Sequence, residues 1–168
     1  MGICYEVKTL PGIEESYPDT LSGEEIPVFI ACEKADAYRQ TMHSDELIIT
    51  ADTIVWLDGL VMEKPEDEED ARRMLRCLSG KTHQVITGVC LTTTEFQKSF
   101  ATVTDVTFAE LTEEEIDYYV QKYKPMDKAG SYGIQEWIGF VGVEGITGSY
   151  FNVMGLPIQR LYKELKKL

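Results

Sequence analysis

Residues 47–56 read LIITADTIVW. The run is short, apolar and rich in β-branched side chains, which predicts a buried strand rather than a helix. Asp52 stands in its middle. A carboxylate inside an apolar strand is costly unless it is paired, hydrogen-bonded or bound to a metal. Two readings stay open: an Asp at a strand end bonded to local backbone, or a metal ligand or general base.

Downstream, residues 57–59 predict a turn, and residues 61–63 carry the chain back to Lys64-Pro65. A hairpin-like return would bring Lys64 near Asp52. An ammonium beside a carboxylate suits a phosphate site, the one holding the anion while the other binds a metal or activates water. Residues 66–70 supply an acidic helix start, followed by the stripe Ala71, Met74, Leu75, Leu78, with Gly80 placed to end it. Upstream, Val28, Ala31, Cys32, Ala35 and Tyr38 recur at helical spacing.

Residues 84–92 and 100–108 predict two more strands. Thr112 and Glu115 form a capping-box pattern, opening a helix with Ile116, Tyr119, Val120 and Tyr123 on one side and Lys124-Pro125 as its stop. Residues 130–155 hold seven of the 13 glycines, so loops, tight turns and close backbone approach are expected there. Pro157 opens a last helix with Ile158, Leu161, Tyr162 and Leu165 on one face. Alternating strands and helices give an α/β or α+β class.

A third segment, KAGSYGIQ at 128–135, could do chemistry. Its glycines let backbone N–H groups approach a ligand, Lys128 adds charge, and Gln135 offers an amide. A glycine-rich turn with a surface lysine is the plainer alternative. Glu15, Lys34 and Lys64, each beside another charged residue, read on their own as solvated surface. His43-Ser44-Asp45 has triad residue types, but consecutive residues cannot build the relay. Neither a P-loop nor a G-x-G-x-x-G fingerprint occurs.

The 168 residues are 43% hydrophobic and 27% charged, enough for one domain with a sizeable core. Sixteen Lys and Arg against 29 Asp and Glu leave a net charge of −13. That field repels nucleic-acid polymers and anionic membranes but leaves room for a small anion in a locally basic pocket. No apolar run nears the ~20 residues of a membrane span, and no secretory leader is visible. Cys4, Cys32, Cys77 and Cys90 form no C-x-x-C pair, which fits free thiols in a reducing cytoplasm. Only His43 and His83 are present, too few for a histidine-rich zinc site.

The order of motifs is more specific than any one of them. GIEE (12–15), EKA (33–35), ADTIV (51–55), EKP (63–65), LSGKTHQV (78–85), TDVTF (104–108), DKAGSYGIQ (127–135) and GSYFNVMGLP (148–157) follow in turn. This series resembles the Maf family of nucleoside triphosphate pyrophosphatases, relatives of the inosine triphosphate pyrophosphatases, over nearly the whole chain. The resemblance implies an α/β fold with a mixed sheet, flanking helices and a cleft between two lobes. It implies hydrolysis of dTTP and UTP to the monophosphate plus pyrophosphate with a divalent cation, Mg²⁺ or Mn²⁺.

By the same resemblance Asp52 is the catalytic carboxylate and, with Glu15, a metal ligand. Lys34 and Lys64 match charged residues around the metal and phosphates, and Thr53 and Gln135 mark the dTTP/UTP branch; Lys128, from the glycine-rich segment, is read as a further substrate-binding residue. A homodimer is a further expectation. The family's opening S-x-S-P-R-R turn is not in residues 1–168, so the reading is a single Maf-like domain, truncated at its N-terminus relative to the family. A start codon assigned too late or an artificially shortened chain is the expected explanation, ahead of a genuinely shortened protein. The alternative function is a nucleotide-binding regulator of cell division with little or no turnover, because that phosphate-binding turn is missing.

Overall fold

The computed structural model describes residues 2–13 and 15–168. The apolar run forms a ten-residue strand, β1 (Ile48–Leu57). Asp58 and Gly59, both at positive φ (52° and 85°), turn it into β2 (Leu60–Met62). An Asp-Gly pair suits a two-residue hairpin because both central residues need the left-handed region. The chain then crosses the sheet through α2 (Glu68–Leu78), whose N-cap Asp67 accepts from the Asp70 N–H at 2.8 Å. It returns as β3 (Thr82–Thr92) and β4 (Gln97–Phe108). The sheet order is β2-β1-β3-β4-β5, with β5 at Val143–Thr147.

All four pairings are antiparallel, from Ile48↔Thr92 through Trp56↔Gln84 for β1 and β3. No parallel pair occurs among the described residues, so the mixed sheet expected from the resemblance is here an antiparallel one flanked by helices. Hairpins join β1 to β2 and β3 to β4. The α2 crossover starts β3 at the end of the sheet where β1 finishes, so β3 must run the other way.

Side-chain alternation sorts the layers. Ile54 and Ile86 face α1 (Glu25–Arg39), where they pack with Ile26 and Ile30. Val55, Val85, Val106 and Phe108 face α2 and α3 (Glu113–Tyr123) in the larger core. The Thr112/Glu115 capping box opens α3 as expected, with bonds of 3.2 and 2.8 Å. The last helix, α6 (Ile158–Leu165), covers Val89 and Leu91 through Leu161. The glycine-rich stretch is more structured than its composition suggests. It holds a 3₁₀ turn (Ala129–Ser131), α4 (Trp137–Gly142), β5 and α5 (Tyr150–Val153). These are short elements set by packing against β4 and the α2/α3 layer, and they leave little periodicity to read. No helix among the described residues is long and apolar enough to cross a membrane.

Candidate active site

The β2 strand pairs with β1 only from Val55 onward. The outer edge of β1 before that point has no strand beside it among the described residues, and a cleft of about 380 Å³ opens there. Alternation then places consecutive residues on opposite faces of the sheet: Asp52 on the α1 face, Thr53 on the other. The cleft wraps round the edge and takes in both. Glu15, Lys34, Asp52, Thr53, Lys64, Lys128 and Gln135 all line it.

On the α1 face, charges alternate in a chain. Lys34 Nζ lies 2.8 Å from Asp52 Oδ1 and 2.8 Å from Glu15 Oε1, and Lys64 Nζ lies 2.9 Å from Glu15 Oε2. The side chains of Lys34 and Asp52 are only 19% and 12% exposed. Burial pushes the Asp52 carboxyl above the usual carboxylate range, and Lys34 pulls against that rise. Hydrogen bonds from Lys34 and Lys64 hold Glu15 below it. Burial drags on Lys34, but its two carboxylate partners leave its ammonium raised. The partner of Asp52 is therefore Lys34, on the helix. Lys64, expected beside Asp52 from the hairpin, reaches it only through Glu15.

Gly88 makes the short Lys34–Asp52 contact possible. It is the register partner of Asp52. A Cβ there would sit 2.3 Å from the backbone of Pro27 and Val28. Without that side chain, α1 rests on β3 and Lys34 falls over Asp52.

On the other face, residues 127–135 form a wall. Gly130, at φ 66°, abuts Val55, and its N–H donates to the Glu63 carbonyl at 3.1 Å. Lys128 Nζ reaches Asp127 at 3.0 Å and Glu136 at 3.3 Å. Tyr119 donates to Glu136 and accepts from the Gly133 N–H at 3.0 Å. Tyr132 is 2.6 Å from His83 Nε2, whose ring burial pushes down to about 4 and so keeps neutral. Gln135 is exposed and has no hydrogen-bond partner among the described residues.

The sequence reading missed Thr87 and Asn152, buried behind Thr53. Asn152 lies inside the quoted GSYFNVMGLP, but nothing local tells a buried Asn from a turn Asn. Among the described residues no group of three His, Cys, Asp or Glu side chains gathers around one point. Glu15 and Asp52 do converge on a single ammonium, and two hard-oxygen donors fit Mg²⁺, which takes one or two carboxylates with water and substrate phosphates.

An antiparallel sheet flanked by helices, with a half-buried carboxylate–lysine chain in an edge cleft, is the arrangement that a family of enzymes can share. The chain belongs to the Maf family, whose Maf-like protein model matches residues 1–168. It is similar to proteins named dTTP/UTP pyrophosphatase from Phocaeicola vulgatus, at 79% identity, and from Bacteroides fragilis, at 70%. Each alignment covers 100% of this chain and 87% of the relative. A further such relative, from Bacteroides thetaiotaomicron, is 66% identical over the same shares.

Proposed function

We propose that this chain is a nucleoside triphosphate pyrophosphatase that hydrolyses dTTP and UTP to the monophosphate and pyrophosphate. The observation that carries the reading is the Asp52–Lys34–Glu15–Lys64 chain at the cleft edge. The names of the relatives support the substrate.

Lys34 occupies Asp52 Oδ1, while Oδ2 has no hydrogen-bond partner among the described residues. Asp52 Oδ2 is the atom that takes the proton of the water attacking the α-phosphorus. Its raised pKa makes it a better proton acceptor than an exposed carboxylate. Lys34, Lys64 and Lys128 place three ammonium groups along the cleft to bind the triphosphate and the departing pyrophosphate. When bound, a divalent cation held by Glu15 and Asp52 supplies further neutralisation of phosphate charge. Thr53 and Gln135 lie on the other face, where the base is selected. Their hydroxyl and amide match the donor and acceptor groups of uracil and thymine. The thiols are free in the structure, which supports a reducing, cytoplasmic setting.

The test is pyrophosphate release from a panel of nucleoside triphosphates with Mg²⁺ or Mn²⁺. Release from dTTP and UTP ahead of CTP, ATP and GTP is expected, with Asp52→Asn at least ~10²-fold slower. Undiminished release by that variant overturns the role of Asp52.

A further inference from the structure

Thr87 stands behind Thr53 in the sheet. The two are register partners on β3 and β1, and their hydroxyl oxygens are 2.8 Å apart. That distance alone does not say which hydroxyl gives its proton. The next contact does: Thr87 Oγ1 lies 3.2 Å from the main-chain carbonyl oxygen of Asn152 on α5. A carbonyl has no proton to give, so Thr87 donates there. A threonine hydroxyl carries one proton. Toward Thr53, Thr87 can then only accept, and Thr53 must donate. The Thr53 hydroxyl thus offers lone pairs, and no proton, to the cleft.

The arrangement is rigid. Thr87 and Asn152 are both fully buried, so no bulk water competes for the proton. The two protons of Asn152 Nδ2 are shared among three acceptors, the carbonyls of Val85 and Thr102 at 3.1 and 3.0 Å and Thr104 Oγ1 at 3.0 Å. These bonds pin α5 across β3 and β4, so the Asn152 carbonyl cannot swing away. Gly155, just beyond α5, brings the backbone alongside Thr53; a Cβ there would be 3.6 Å from its hydroxyl.

We propose that Thr87, oriented by the Asn152 carbonyl, is a positioning residue that fixes Thr53 as a hydrogen-bond acceptor for the ring N–H of a uracil- or thymine-type base. The inference rests on the pyrophosphatase reading above and supplies its base selectivity. In nucleotides of these bases N3 carries a hydrogen between two carbonyls, whereas N3 of cytosine is bare. Against cytosine, lone pair meets lone pair and a desolvated acceptor is left unmatched, which discriminates strongly. The amide of Gln135 is then free to meet a flanking carbonyl.

The test uses the full chain with Thr87→Val, which keeps the β-branched shape and removes the acceptor. Thr87→Ala serves as a second, smaller variant, and Thr87→Ser as the rescue. Turnover and equilibrium binding are measured for UTP and CTP, with folding checked by thermal melting. In T87V and T87A the Thr53 hydroxyl is released to donate, and the preference for UTP over CTP falls roughly tenfold or more. T87S restores it. A full UTP preference in both T87V and T87A overturns the assignment, and so does an equal loss for the two nucleotides. If the unaltered chain fails to distinguish UTP from CTP in either measurement, the substrate reading itself fails, a result seen before any variant is made.

Discussion

Replacing Lys34 with Met removes the cation shared by Asp52 and Glu15 while keeping most of its apolar stem against the sheet. At 2.8 Å, two unit charges with an effective dielectric constant of 20 attract by about 6 kcal/mol before desolvation. Removing one partner of a fully buried pair costs about 3–5 kcal/mol. Lys34 and Asp52 keep 19% and 12% exposure, so the lower end applies, about 3 kcal/mol. That corresponds to a ~10²-fold shift in the ionisation constant of Asp52, at about 1.36 kcal/mol per decade. The sign follows from the environment. Burial already raises the Asp52 pKa and Lys34 opposes the rise; without Lys34 it climbs further. The ionised base then exists only at higher pH. In a pyrophosphate-release assay across pH, K34M should lose up to ~10²-fold in kcat/KM on the acid side of the profile, and the deficit should shrink as pH rises. A deficit of constant size at every pH would show that Lys34 serves the phosphates alone and would refute its coupling to Asp52.

Three further outcomes are expected. Gln135→Glu should lower dTTP and UTP hydrolysis at least ~10-fold relative to other triphosphates, because it replaces a donor with an acceptor where a carbonyl binds; a substrate panel reads this directly. Gly88→Ala places a Cβ 2.3 Å from the Pro27 and Val28 backbone. It should cost about 1–3 kcal/mol, or roughly 3–10 °C in Tm, and slow turnover as α1 lifts Lys34 from Asp52; an unchanged melt with full activity would contradict the close seating of α1 on β3. Glu164 is buried beneath Lys98, Lys167 and Arg160 at 2.7, 2.9 and 3.0 Å, and hydrogen bonds from Lys98 and Lys167 hold its carboxyl down from the usual 4.5 to about 2. A lowered carboxyl stabilises the fold above pH 4.5, and that stabilisation is lost as pH falls toward 2. Glu164→Gln should therefore lower Tm at pH 7 and match the unaltered chain near pH 2.

The sequence by itself determined the local chemistry: β1 from its apolar run, the turn at 57–59, α3 from its capping box, and Asp52 as an acid in the wrong surroundings. These are short-range facts, set by period, cap and turn within a few residues. Motif order added the family and the seven cleft residues. Only the tertiary structure decided which lysine meets Asp52, because that depends on α1 resting on Gly88, a glycine on β3 far along the chain from the EKA motif. Only it placed Asp52 and Thr53 on opposite faces of one open edge, and only it closed the Thr53–Thr87–Asn152 relay. Hydrogen-bond polarity belongs to partners brought together by folding, and no residue carries it in its own neighbourhood of sequence.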